Sequence, residues 1–257
     1  MDLASIVGLF FGFFMLLLAF YEEGGNLGSL VQVTAAMIVF GGTIGAVIVS
    51  FPLSDIKKIP KLLKLVFLEK SYKEEALVTD IVGFAEKVRR EGILTMEKDI
   101  ANVQNNLMKK GLRLIVDGTE SETIRDILER EIVLIEDDFH SCAQIFETAG
   151  GYSPTMGIIG TVMGLISVLG QLSTPEKLGP SIALAFVATL YGVCFANLVW
   201  LPFATKVKVK GKKEKMVGEM IVIGLIALQE GQNPRIIKDR LTLQPITDIP
   251  TTEAGAG

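Results

Sequence analysis

The chain of 257 residues has one histidine and two cysteines. His140 alone supplies a single ligand, so it builds no metal site and reads as a solvated or packed helix residue. Cys142 falls in a charged segment and Cys194 in an apolar one, which gives no sign of a disulfide scaffold. The net charge of −4 removes the electrostatic reason to expect nucleic acid as a partner. A phosphate loop is also missing. The Gly41-Gly42-Thr43-Ile44-Gly45 cluster has no following lysine and lies inside an apolar run, so ATP is not the expected fuel. No triad, paired carboxylates or nucleophile–base set can be assembled. An enzyme is therefore the least supported class, and no cofactor is expected.

Apolar residues make up 49% of the chain and charged ones 21%, so charge must be segregated along it. Four uncharged runs, 3–21, 30–51, 155–172 and 182–201, each approach the roughly 20 residues that cross a bilayer as a helix. The first lacks a basic leader and a small-residue cleavage site, and reads as a retained span. Short linkers make hairpins of spans one and two and of spans three and four. Those linkers carry Glu22 and Glu23, and Glu176 with Lys177. On the other side, Lys57, Lys58, Lys61 and Lys64 follow span two, and Lys206, Lys208, Lys210, Lys212, Lys213 and Lys215 follow span four. The bias puts both termini and the middle segment in the cytoplasm of a bacterial inner-membrane protein. A lipid-binding patch is the other reading of those lysines.

The segment 52–153 is too long to be a structureless loop and reads as a helical cytoplasmic domain. Asp117-Gly118 closes one helix, and Thr119 with Glu122 forms a capping box for the next. Ile124, Leu128, Ile132, Ile135, Phe139, Cys142 and Phe146 then recur at helical spacing. That run is expected to end at Gly150-Gly151, with Pro154 opening the third span. Beyond span four, 203–243 reads as a further helical segment. Its packed face is Val217, Met220, Ile221, Leu225 and Leu228. Gly231-Gln232-Asn233-Pro234 interrupts it, and 244–257 reads as a disordered tail. The expected class is an all-α integral membrane protein: four transmembrane helices, with helical cytoplasmic parts between spans two and three and after span four.

No span carries Asp, Glu, Lys, Arg or His, although a proton pathway normally needs an ionisable group at mid-membrane. Small and polar residues form stripes instead. Gly157, Gly160, Thr161, Gly164, Ser167 and Gln171 share one arc of span three. Ser181, Ala185, Ala188, Thr189, Gly192 and Ala196 share one arc of span four. Close helix packing is one reading of these stripes. The hydroxyls of Thr161 and Thr189 allow two more: they bond back to their own helix, or they handle an ion or water.

The order of features resembles the A subunit of the flagellar motor stator, the MotA and PomA group, over nearly the whole chain. The residues that carry the resemblance are Met1-Asp2-Leu3-Ala4, Pro154-Thr155-Met156-Gly157-Ile158-Ile159-Gly160-Thr161 and Leu178-Gly179-Pro180. Ala188-Thr189-Leu190-Tyr191-Gly192, Asn197 with Pro202, and Gln229-Glu230-Gly231-Gln232-Asn233-Pro234-Arg235 complete the set. The resemblance implies a pentamer of A subunits around two B subunits, each B subunit bearing one transmembrane helix with an aspartate. It implies an ion path along spans three and four, past Pro154, Thr155, Gly160, Thr161, Gly164, Ala185, Ala188 and Thr189. Pro154 and Pro202 match the family's helix-end prolines. Arg89, with Arg90 as an adjacent alternative, and Glu97 match the charges that touch the rotor switch complex. Without the resemblance those charges read as a solvated face.

The related TolQ and ExbB energisers of outer-membrane processes are the nearest rival. They have three spans and an extracytoplasmic N-terminus, where this chain has four runs and the reverse charge bias. A secondary transporter would show an intramembrane charge or paired discontinuous helices. Sodium-driven stators resemble one another in consecutive threonines before Leu-Tyr-Gly. Here the pair is Ala188-Thr189, so a proton is the expected ion and sodium the alternative.

Overall fold

The computed structural model describes residues 3–67, 74–173 and 178–242. Met1, Asp2, Glu176, Lys177, Leu243 and the tail 244–257 lie outside the described residues. All regular elements among the described residues are helical. They are α1 (Leu3–Glu22), α2 (Leu27–Ser50), α3 (Leu53–Ile56), α4 (Ile59–Phe67), α5 (Glu74–Glu91), α6 (Glu97–Ile100), α7 (Asn106–Val116), α8 (Ser121–Gly170), α9 (Leu178–Gln229) and α10 (Pro234–Leu241). Four of them, α1, α2, α8 and α9, are long and apolar enough to cross a membrane.

Packing divides the chain into two compact units. One comprises Met1–Lys70 and Asp137–Lys212, the other Ser71–Glu136 and Lys213–Gly257. Hydropathy and packing cut the chain at different places, so α8 and α9 supply residues to both units.

In the first unit α2 is interrupted. A 3-10 turn, Leu27–Leu30, precedes two non-helical residues, Val31 and Gln32, and a π turn spans Met37–Gly41. A second π turn, Ala196–Trp200, lies in α9, where Leu201 N–H reaches back to the Ala196 carbonyl. The wider turn relieves the contact that the Pro202 ring would make with the carbonyl four residues earlier, so α9 continues through Pro202. Phe146 stacks on Trp200 and meets Phe203 edge-on, and Phe67 meets Phe203 edge-on. This aromatic cluster, with Leu62 and Val66 of α4, forms one core of the unit.

Two expectations fail here. The helix from Ser121 does not end at Gly150-Gly151 but runs through Pro154 to Gly170. Neither glycine has a positive φ, so neither turns the chain. Gly150 is instead a point of close approach: a Cβ there would lie 2.7 Å from Leu201 Cδ2. Packing against α9 outweighs the roughly 1 kcal/mol propensity cost of a helical glycine. The capping box at Thr119 is also absent. Gly118 takes φ +74, Gly118 N–H bonds Ile115 O and Thr119 N–H bonds Leu114 O, which together close α7. Thr119 is thereby used by the preceding helix, and α8 starts later, with the Glu120 carbonyl accepting from Ile124 N–H.

The second unit is an aliphatic core. Ile81, Met96, Met108, Leu112, Ile115, Ile124, Leu128, Ile221, Leu225, Leu228 and Ile237 are all fully buried in it. The stripe read from Ile124 to Phe146 is buried or half-buried throughout, and Val217, Met220, Ile221, Leu225 and Leu228 are buried as expected. The Asn233 side chain caps α10 with Pro234 in its first turn. Lys215 pairs with Glu136 at 2.8 Å, and Lys110 pairs with Glu131. The Glu136 hydrogen bond raises the Lys215 pKa above its usual value.

Candidate functional site: the face between the last two spans

The two small-residue stripes meet each other. A Cβ on Gly157 would lie 2.9 Å from the Ala188 carbonyl, and one on Gly160 would lie 2.5 Å from Ala188 Cβ. Gly164 faces Ala185 and the Ser181 carbonyl, each at 2.9 Å from its missing Cβ. Gly192 lies against the Ser153 carbonyl and Pro154 Cα, at 2.6 and 3.2 Å from the same construction. Small side chains thus let the two helix backbones close on one another, which in lipid supplies dispersion contact that no hydrophobic effect can. The packing reading accounts for Gly157, Gly160, Gly164, Ala185, Ala188 and Gly192.

Polar atoms are arranged inside this seam. The Thr161 hydroxyl lies 3.1 Å from the Gly157 carbonyl, 3.0 Å from the Ala185 carbonyl, and within hydrogen-bond reach of the Thr189 hydroxyl. Thr161 has one hydrogen and two carbonyls to give it to. When that hydrogen goes to a carbonyl, the Thr161 oxygen accepts from Thr189, and the Thr189 oxygen keeps lone pairs free to accept. Nearer the other end, Gln171 Nε2 donates to Ser167 Oγ at 3.0 Å, and Ser167 lies 3.2 Å from Ser181 Oγ. Thr155 is not drawn into the seam: it is exposed, and its hydroxyl donates to the Tyr152 carbonyl at 2.7 Å. Pro154 is half-buried beside Gly192, and Pro202 is exposed.

Tyr191 has a role that sequence reasoning missed. Its hydroxyl donates to the Leu30 carbonyl at 2.5 Å and accepts from Gln32 N–H at 3.4 Å. One side chain thus occupies two backbone groups at the break in α2, while Phe40 stacks on its ring at 6.0 Å. Exposed backbone groups are costly in lipid, and a tyrosine inside an apolar run signals that its hydroxyl has a partner. Ser153 and Thr43 are fully buried, and their hydroxyls meet no partner among the described residues.

The other predicted site residues lie in the second unit. Arg89 and Arg90 lie in the last turn of α5, and Glu97 begins α6. Between them Gly92, at φ +87, breaks the helix before a 3-10 turn, Ile93–Met96. The charges therefore sit on two elements rather than on one helix face. All three are exposed, and neither Arg89 nor Glu97 makes an ion pair among the described residues.

Comparison with known proteins agrees with this architecture. Residues 99–220 match the MotA/TolQ/ExbB proton channel family, and residues 6–92 match the motility protein A N-terminal family. Motility protein A of Bacillus subtilis is 38% identical over 95% of this chain and 90% of its own. Chemotaxis protein PomA of Vibrio alginolyticus is 34% identical over 94% of each chain. The flagellar MotAB stator complex of Bacillus subtilis contains a chain that superposes with a TM-score of 0.90 at 37% identity, covering 96% of this chain and 98% of that one. These are relatives in a family of motor and ion-channel subunits rather than enzymes, and the four apolar helices of this chain fit a multi-pass membrane protein. The chain belongs to the MotA/TolQ/ExbB proton channel family and, within it, to the motility protein A group of flagellar stator subunits.

Proposed function

We propose that this chain is the wall of a proton channel, completed by a B subunit whose single transmembrane helix brings an aspartate, and that proton flow through it drives the flagellar rotor. The observation that carries the reading is the Thr161–Thr189 pair, set in spans that hold no Asp, Glu, Lys, Arg or His. In the arrangement where Thr161 donates to a carbonyl, Thr189 gives its hydrogen to Thr161 and presents an acceptor. That suits the O–H of a protonated carboxylic acid. A sodium ion would instead need several oxygens to replace its water. Here the Gly157 and Ala185 carbonyls already face the Thr161 hydroxyl, and Ala188 stands where a second hydroxyl would be needed.

In this mechanism the ring of A subunits, a pentamer in the family reading, surrounds the B dimer. Both termini and the segment 52–153 lie in the cytoplasm. A proton entering from outside neutralises the partner aspartate, and its loss to the cytoplasm restores the charge. Each crossing at about 100 mV releases roughly 2.3 kcal/mol from the electrical term alone. The alternation steps the ring around the B dimer, and Arg89 or Arg90 with Glu97 passes the step to the rotor switch complex.

Motility supported by this chain and its partner should persist in sodium-free medium and collapse with a protonophore. Thr189→Ala should slow rotation while leaving the complex assembled, since it removes a hydrogen bond worth about 1 kcal/mol and little volume. Swimming speed that tracks external sodium at constant pH would overturn the proton assignment.

A further inference from the structure

Around the Gly92 break the backbone is tied down locally. Gly92 N–H bonds the Val88 carbonyl at 2.9 Å, and the Thr95 hydroxyl donates to the Gly92 carbonyl at 2.7 Å. Met96 and Ile100 are buried beneath the turn. These anchors fix the turn to the core but leave α6, only four residues long, without helical stiffness of its own. One contact spans the break at the surface: Lys87 Nζ lies 2.5 Å from Asp99 Oδ2. Lys87 is two and three residues before Arg89 and Arg90, and Asp99 is two residues after Glu97. The pair therefore joins the last turns of α5 to α6 next to every charge assigned to the rotor. Asp99, as hydrogen-bond acceptor, raises the Lys87 pKa above its usual value.

We propose that the Lys87–Asp99 ion pair is a clasp that positions the rotor-facing charges, fixing the offset between the arginines of α5 and Glu97 of α6. A complementary charged protein surface reads a pattern only when the offsets within it are constant. Two long side chains on separate elements, divided by a left-handed glycine, hold that offset more closely when a surface tie joins their elements in addition to the buried Met96 and Ile100. The clasp rests on the reading of Arg89, Arg90 and Glu97 as rotor contacts, and both can be tested together. Lys87 and Asp99 act through these residues, as positioning residues rather than as contacts.

The test uses the full-length chain with its B subunit in cells lacking their own stator, reading the dwell time of tagged units at the motor. Lys87→Met and Asp99→Asn should each shorten dwell by about 1.4- to 5-fold, the range that exposed ion pairs allow. The doubly neutral variant should shorten it too, and the swap Lys87→Asp with Asp99→Lys should restore it. Membrane levels of the complex and proton flux through it should not change. If the two single variants shift dwell in opposite directions and the double neutral variant matches the parent, the pair acts only through its charge and the clasp is overturned. Loss of the complex from the membrane in every variant would overturn it in favour of a folding role. Arg89→Glu and Glu97→Lys in the same assay separate the two claims. Unchanged dwell there removes the rotor contact itself, whereas shortened dwell there with unchanged Lys87→Met removes the clasp alone.

Discussion

The two compact units of this chain are held together by opposite means. In the unit containing the Thr161–Thr189 pair, contact comes from what is missing: Gly157, Gly160, Gly164 and Gly192 lack the Cβ atoms that would keep α8 and α9 apart. In the other, Leu128, Ile221, Leu225 and Leu228 fill a core whose stabilisation comes from removing large apolar surfaces from water. Water drives the second kind of packing, and lipid cannot. A helix pair in lipid gains by closeness, and closeness brings the Ala185 carbonyl of one helix to the Thr161 hydroxyl of the other. The close seam therefore explains why the polar atoms of the candidate ion path lie where they do.

The contrast predicts that the two units fail in opposite directions. Leu225→Ala should cost about 2–5 kcal/mol by leaving a cavity in the aliphatic core, read as a lower melting temperature of the purified complex. Gly157→Ala, an addition of one methyl group, should cost about 1–3 kcal/mol because the Ala188 carbonyl and the Thr189 backbone cannot move aside. A Gly157→Ala variant as stable as the parent would show that the seam is looser than described. The smallest effect concerns Lys58, which pairs with Asp138 at 3.0 Å and Asp55 at 3.2 Å. The hydrogen bond to Asp138, then that to Asp55, pushes its pKa up to about 12. A raised lysine pKa contributes stability that is complete below the unfolded value and lost only as pH rises through the folded one. Lys58→Met should therefore change the melting temperature little, and by the same amount at pH 6 and pH 9. A difference that vanished at pH 9 would contradict the pairing.

Hydropathy and helical period made much of this legible. The four spans, the stripe from Ile124 to Phe146 and the stop at Gly231 follow from local composition and turn chemistry, and the structure agrees at each. The errors have one cause, the outweighing of local signals by packing. Gly150, Gly151 and Pro154 are breakers by propensity, yet α8 passes through them because α9 lies against Gly150. Thr119 has the spacing of a cap, but the preceding helix uses its N–H first. The candidate site was half legible. Arcs on each span identified Thr161 and Thr189, but an arc says nothing of what it faces, and the finding that the stripes face each other needed three dimensions. Tyr191 was visible only as part of a motif, because its partners lie about 160 residues away.

In the proposed channel this chain is a wall whose spans lack the carboxylate that a proton path needs. Proton flux into liposomes tests it most directly, measured with the chain alone and with a one-span B subunit held open. Leakage should be no greater than that of protein-free liposomes for the chain alone, and flux should appear when the B subunit is present. That flux should be abolished by replacing the partner's aspartate with asparagine. Robust flux through the chain alone would show that it carries a complete proton path of its own and needs no partner carboxylate.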